Sequence, residues 1–193
     1  ITTTIMITIG IPTNRGVKAK TVLSLLNLER GGHEFHVVCA TEGYTISENR
    51  SYIVAQAMKN ESDYLLFVDD DMIFPPNTLT RLLSLDKDIV GIVSHSRKID
   101  EKTTVQLPDG KVLIDKEIPT ETFQVKAVGA GIMLVNMKVF EIIDKPFFNT
   151  ETHSNGFTLM GEDSWFCRQA ERKEIEVWCD PTLEIKHIGD FSY

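Results

Sequence analysis

No apolar run in this sequence approaches the ~20 residues that a helix needs to cross a bilayer, so a membrane-spanning helix is not expected. The opening Ile1-Thr2-Thr3-Thr4 lacks the charged start and small-residue cleavage site of a signal peptide, and the chain reads as cytoplasmic. It begins on Ile rather than Met, as expected of a piece trimmed from a larger parent. Cysteine is scarce: Cys39, Cys167 and Cys179 are odd in number, far apart and without C-x-x-C spacing. That argues against a disulfide framework or a zinc ribbon and for buried thiols in a reducing compartment. Positive charge is also in the minority. The net charge of −8 repels a nucleic-acid backbone, so nucleic acid is not an expected partner. A phosphate ligand would need a cation or a few aimed basic residues.

Two phosphate-binding fingerprints are missing as well. There is no G-x-x-x-x-G-K-[ST], and no G-x-G-x-x-G follows the first apolar strand. What is present is an ordinary globular composition, 42% hydrophobic and 25% charged over 193 residues, enough for one domain with a sizeable core. The β-branched run over 5–11 predicts a strand, and Pro12-Thr13-Asn14-Arg15-Gly16 a loop after it. Apolar spacing at Val22, Leu25, Leu26 and Leu28 predicts a helix within 17–30, stopped by Gly31-Gly32. A strand over Glu34–Ala40, a helix over 47–59 and an all-apolar strand over Tyr64–Val68 repeat the alternation. That order favours a parallel sheet with helices on both faces. A short helix to about Leu85 and a strand over 88–93 follow. The polar stretch 97–121 departs from this winding, with a hairpin of 103–107 and 111–114 about Pro108-Asp109-Gly110. One or two strands are expected over 124–135, helices over 137–143 and 161–173, and short strands over 177–179 and 183–185. The chain reads as a wound α/β half, about 1–95, followed by a mixed half, about 96–193, within one domain.

Chemistry concentrates where the predicted strands end, which is where open α/β sheets collect ligands. Asp69-Asp70-Asp71 closes the most apolar strand, and three adjacent carboxylates repel unless a cation relieves them. Asp69 and Asp71 share a face of an extended segment, and such hard oxygen ligands suit Mn²⁺ or Mg²⁺. The plainer alternative is an acidic loop capping the next helix. The loop Pro12-Thr13-Asn14-Arg15 suits a base and ribose better than a pyrophosphate, and Arg50 on the second helix is the leading candidate to meet the phosphates. The N-x-[ST] matches at Asn49 and Asn60 lie on predicted helices and read as chance.

Several of these features occur together in a recognisable order. They are Ile11-Pro12-Thr13, Glu42 after the second strand, Arg50 with Ile53-Val54, and Leu65-Leu66-Phe67-Val68 running into Asp69-Asp70-Asp71 as a D-x-D motif. Gly129-Ala130-Gly131, Gly161-Glu162-Asp163-Ser164-Trp165-Phe166 and His187-Ile188-Gly189 complete the set. The chain resembles the GT-A-fold glycosyltransferases, nearest to the large inverting family 2. The resemblance implies the GT-A (nucleotide-diphospho-sugar transferase) fold, a wound, mostly parallel sheet with helices on both faces and a smaller mixed C-terminal part. It implies a nucleoside diphosphate sugar as donor, a UDP-sugar first and a GDP-sugar second, and a saccharide or other hydroxyl acceptor. Pro12, Thr13, Asn14, Arg15, Glu42, Arg50, Asp69 and Asp70 would bind the donor, and Asp71, His187 and Asp69 the Mn²⁺ or Mg²⁺. Asp163 would be the catalytic base, with Glu162, Trp165, Gly129 and Gly131 near the acceptor or donor sugar. A helix N-terminus around Asp163 would stabilise its anion and weaken it as a base. A retaining GT-A transferase, a nucleotidyltransferase and a non-catalytic nucleotide-sugar-binding module remain alternatives.

Overall fold

The computed structural model describes residues 4–95 and 102–188. Gly189 and positions 97–101 of the polar stretch lie outside the described residues. The β-branched run forms β1 (Met6–Pro12), and the turn formers behind it lead into α1 (Ala19–Leu26), shorter than the 17–30 expected. Then come β2 (Glu34–Ala40), α2 (Ile46–Lys59), β3 (Tyr64–Val68), β4 (Met72–Ile73), α3 (Thr78–Ser84) and β5 (Ile89–Ile92). The hairpin is β6 (Lys102–Gln106) with β7 (Val112–Ile114), antiparallel as expected. The glycine-interrupted stretch yields three strands instead of one or two: β8 (Phe123–Val125), β9 (Ala127–Val128) and β10 (Ile132–Asn136). After α4 (Val139–Ile142), the hairpin β11 (Glu151–Thr152) and β12 (Thr158–Met160) leads into α5 (Glu162–Glu171) and β13 (Val177–Asp180). The last strand is β14 (Lys186–His187), not 183–185. Leu183 and Ile185 instead bury their side chains in the core, which explains their apolar character.

The main sheet runs β2-β1-β3-β10-β5-β13-β8. β1, β2, β3, β5 and β13 point one way; β10, between β3 and β5, and β8, at the edge, run antiparallel to their neighbours. Along β3, Leu65 and Phe67 enter one apolar cluster, which includes Ile53 and Val54 of α2 and Phe166 of α5. Leu66 and Val68 alternate into the other, which includes Leu79 and Leu82 of α3. Alternate strand residues face opposite sides of a sheet, so a fully apolar strand is one buried on both faces.

Two devices fix the helices that carry the site. Thr45 accepts from the Glu48 amide and the Glu48 carboxylate accepts from the Thr45 amide, a capping box that starts α2. α2 then lies so close to β1 that a Cβ on Gly10 would sit 2.2 Å from Ile53 Cγ2. α5 is seated by aromatic rings: Phe148 stacks on Phe166 at 5.0 Å and meets Phe67 of β3 edge-on at 5.4 Å. α1 turns part of its apolar surface outward. Thr21 and Ser24 face the interior, while Val22 and Leu26 face solvent.

Candidate functional site

A cleft of about 300 Å³ opens beyond the ends of β1 and β3, against the first turns of α2 and α5. Pro12, Thr13, Asn14, Arg15, Arg50, Asp69, Asp70 and Glu162 line it, together with Ile46. Eight residues singled out from four separate stretches of sequence therefore share one cavity. Thr13 organises its floor. Its hydroxyl donates to Asp70 Oδ2 and accepts from the amides of Arg15 and Gly16, closing the β1 loop onto the acidic run.

Arg50 is placed differently from a phosphate-facing side chain. Its guanidinium is 2% exposed, donates to Asp69 Oδ1 at 2.8 Å and to Glu162 Oε1 at 3.2 Å, and lies over the Phe67 ring. The Ala130 carbonyl accepts from it at 3.4 Å. Burial works against its charge, yet Asp69, Glu162 and Asp163 together hold its pKa above the ordinary value. Arg50 is thus a buried clamp that ties the end of β3 to the start of α5. A cation committed to three oxygens has little left for a diphosphate.

The carboxylates it clamps remain partly open, Asp69 at 24% and Glu162 at 17%. Burial pushes the Asp69 pKa up, Arg50 pulls it down, and Asp71 and Glu162 add repulsion, leaving it raised. Asp163 is raised too, first by burial and then by the neighbouring charge of Glu162; the bond from the Ser164 amide and the Arg50 charge oppose this and lose. A carboxyl held above its usual range is a better proton acceptor once ionised.

Asp71 is buried, and its carbonyl accepts from the Ile188 amide at 2.8 Å. β14 pairs with β4 so that His187 stands opposite Met72, which brings the late histidine beside the acidic run despite their separation in sequence. Among the described residues, no three His, Cys, Asp or Glu side chains form a ready metal cage. The donor chemistry still fits a hard divalent cation, because Asp69 and Asp71 repel each other and Mg²⁺ or Mn²⁺ takes much of its shell from water and phosphate oxygens.

Other residues fall elsewhere. Glu42 lies in an adjoining cleft of about 310 Å³ with Cys39, Thr41 and Tyr52. Cys39 is exposed there, against the expectation of a buried thiol, whereas Cys167 and Cys179 are buried. Gly131 is at the site: its carbonyl accepts from the Asp69 amide at 2.8 Å. At Gly129 the space a Cβ would need is filled by Thr104 Oγ1 at 2.7 Å. Trp165 donates from its indole to the Pro146 carbonyl and lies under Arg168. Sequence reasoning missed Asn49. Its buried amide donates to Asn14 Oδ1 and the Thr13 carbonyl and accepts from the Gly43 amide, so it stands at the wall between the two clefts. The available signal was spacing: Asn49 and Arg50 stand four residues before Ile53 and Val54, on the face α2 buries.

The sequence matches no protein-family profile and no curated protein. Solved structures do resemble the chain. A197 from STIV superposes with a TM-score of 0.69 at 16% identity, over 96% of this chain and 86% of that one. TarS 1–349 of S. aureus, in complex with UDP-GlcNAc, gives 0.53 at 15% identity, over 97% of this chain and 62% of that one. The chain therefore spans somewhat less than two thirds of that TarS fragment. The inositol-1-phosphate CTP transferase of T. maritima gives 0.50 at 16% identity, over 95% and 88%. At such identities the likeness is one of fold alone: a mixed α/β fold shared with these three structures.

Proposed function

We propose that this chain transfers a sugar from a nucleoside diphosphate sugar, a UDP-sugar before a GDP-sugar, to a hydroxyl of a saccharide or similar acceptor, with inversion. The observation that carries the proposal is the shared cleft, in which the β1 loop, Asp69 and Glu162 are fastened around Arg50 with Asp163 next in chain. Two structural neighbours, one holding UDP-GlcNAc and one a CTP transferase, lend support to nucleotide chemistry on this fold.

In this reading Thr13 and Asn14 hold the nucleoside from one side and Glu42 from the adjoining cleft, with Asn49 fixing the wall between. Asp71, His187 and Asp69 would hold Mn²⁺ or Mg²⁺, which when bound neutralises charge on the departing diphosphate. Arg50 keeps Asp69 and Glu162 at a set spacing, and Glu162 orients the acceptor. Asp163 takes the acceptor hydroxyl's proton as that oxygen forms its bond to the anomeric carbon and the diphosphate oxygen leaves. Among the described residues that line the cleft, the basic ones are Arg15 and the clamped Arg50, fewer cations than triphosphate binding calls for; this favours sugar transfer over nucleotidyl transfer.

A panel of nucleotide sugars, incubated with Mn²⁺ and simple saccharides and assayed for diphosphate release, tests the proposal. Release from one donor, with the product anomer inverted by proton NMR, is the expected result. Asp71→Ala should abolish metal-dependent nucleotide binding; unchanged affinity in that variant contradicts the assignment. Pyrophosphate release from a nucleoside triphosphate would move the protein to the nucleotidyltransferases. Donor binding without turnover would make it a binding module.

A further inference from the structure

α1 carries its apolar stripe outward. Ala19, Val22, Leu23 and Leu26 follow the i, i+3, i+4, i+7 spacing that gathers side chains on one helix face. A helix lying on a sheet normally buries that face, yet Val22 is 40%, Leu23 57% and Leu26 76% exposed. The inward face combines Leu25, packed against the core beside the buried Leu28, with two polar bonds. Thr21 donates its hydroxyl to the Asp70 carbonyl at 3.1 Å, and Ser24 Oγ accepts from the Phe74 amide at 3.2 Å. These anchors set the helix's rotation, so the leucines are presented to solvent by a fixed scaffold.

Charge around the stripe is opposite to that of the whole chain. Between positions 18 and 30 stand Lys18, Lys20 and Arg30 against the single acid Glu29, a local excess of two positive charges in a chain of net −8. Lys20 and Arg30 are exposed. We propose that this face docks on an anionic lipid surface, with Val22, Leu23 and Leu26 entering the headgroup boundary and the basic residues meeting lipid phosphates. The size of the patch selects that occupant. A helix of eight residues is about 12 Å long, too small by itself for the ~1,000 Å² of a specific protein interface. A few inserted apolar side chains with several basic neighbours suffice for reversible binding to an anionic bilayer. Because the Lys18 amide donates to the Asp70 carbonyl at 2.8 Å, the docked face would stand directly beside the cleft.

Co-sedimentation with vesicles tests the proposal, using phosphatidylcholine alone and an equal mixture with phosphatidylglycerol. The protein should pellet with the mixed vesicles and stay soluble with the neutral ones, and added salt should release it. Leu23→Glu with Leu26→Glu should weaken binding at least about tenfold, and Lys20→Ala about fivefold. Both leucines are already exposed, so the double variant should keep the parent's melting temperature and its diphosphate release in solution. A parent that stays in the supernatant with anionic vesicles overturns the proposal, as does a double variant that binds as well as the parent. A parent that is dimeric by sedimentation velocity, with a monomeric double variant and no vesicle binding, would assign the face to a second copy and equally overturn it. None of these failures touches the donor chemistry, which is read in solution.

Discussion

Arg50 holds two carboxylates and Arg81 one, and the two clusters differ in what the carboxylates are left to do. Arg81 donates to Asp180 through Nε at 2.8 Å and through a second nitrogen at 3.3 Å, and Thr182 adds its amide and hydroxyl. Asp180 is wholly buried; burial alone would raise its pKa, but these bonds carry it below the usual value. Around Arg50 one guanidinium serves two carboxylates that open on a cleft, and Asp69 remains raised. A fully satisfied buried carboxylate is a strut. Carboxylates that crowd one cation and face a cavity keep acceptor capacity for a ligand, which is how a binding site differs from a structural pair.

Substituting the two arginines should separate these roles. Arg81→Met strands Asp180 without its cation and should cost about 3–5 kcal/mol by thermal or urea unfolding, with nucleotide binding intact in the protein that remains folded. Arg50→Met should cost less, about 1–3 kcal/mol, since Asp69 and Glu162 can turn toward water in the cleft. Its turnover should fall further, by about a hundredfold, because the spacing of the reacting groups is lost. If Arg50→Met kept full turnover, the clamp would be only another strut.

The pH dependences should also run in opposite directions. Asp163 binds its proton more tightly folded than unfolded, so its contribution to stability falls as pH rises from the ordinary carboxylate range through its raised native value. Asp163→Asn should flatten that slope and lower turnover by about 10²–10⁴. Asp180 holds its proton less tightly folded than unfolded, so its contribution is complete above the ordinary Asp value and is lost as pH falls through its lowered native one. Asp180→Asn should remove that acid-side loss. Matching slopes for the two variants would erase the distinction.

The wound half was legible because its signals are local. Tyr64–Val68 is apolar throughout and proved to be the strand expected, and the β1 loop and the acidic run fell at strand ends. The role of Arg50 was not legible. That a helix arginine meets Asp69 and Glu162, the latter 112 positions away, depends on how close Gly10 lets α2 come to β1 and on how Phe148 and Phe166 seat α5. Gly129 shows the same limit, since a glycine that admits a neighbouring side chain, here Thr104, reads the same in sequence as one that admits a ligand. The orientation of α1 was not legible either, because periodicity locates an apolar face without saying which way it turns.

The central claim is that the cleft at the ends of β1 and β3 is a metal-dependent nucleotide site, and calorimetric titration tests it most directly. UDP and GDP would each be titrated into the protein with Mn²⁺ and again with excess EDTA. The account predicts saturable binding of one nucleotide with the metal and its loss with the chelator. Binding of neither, with or without Mn²⁺, would contradict it and leave the aspartates of the cleft as structural groups alone.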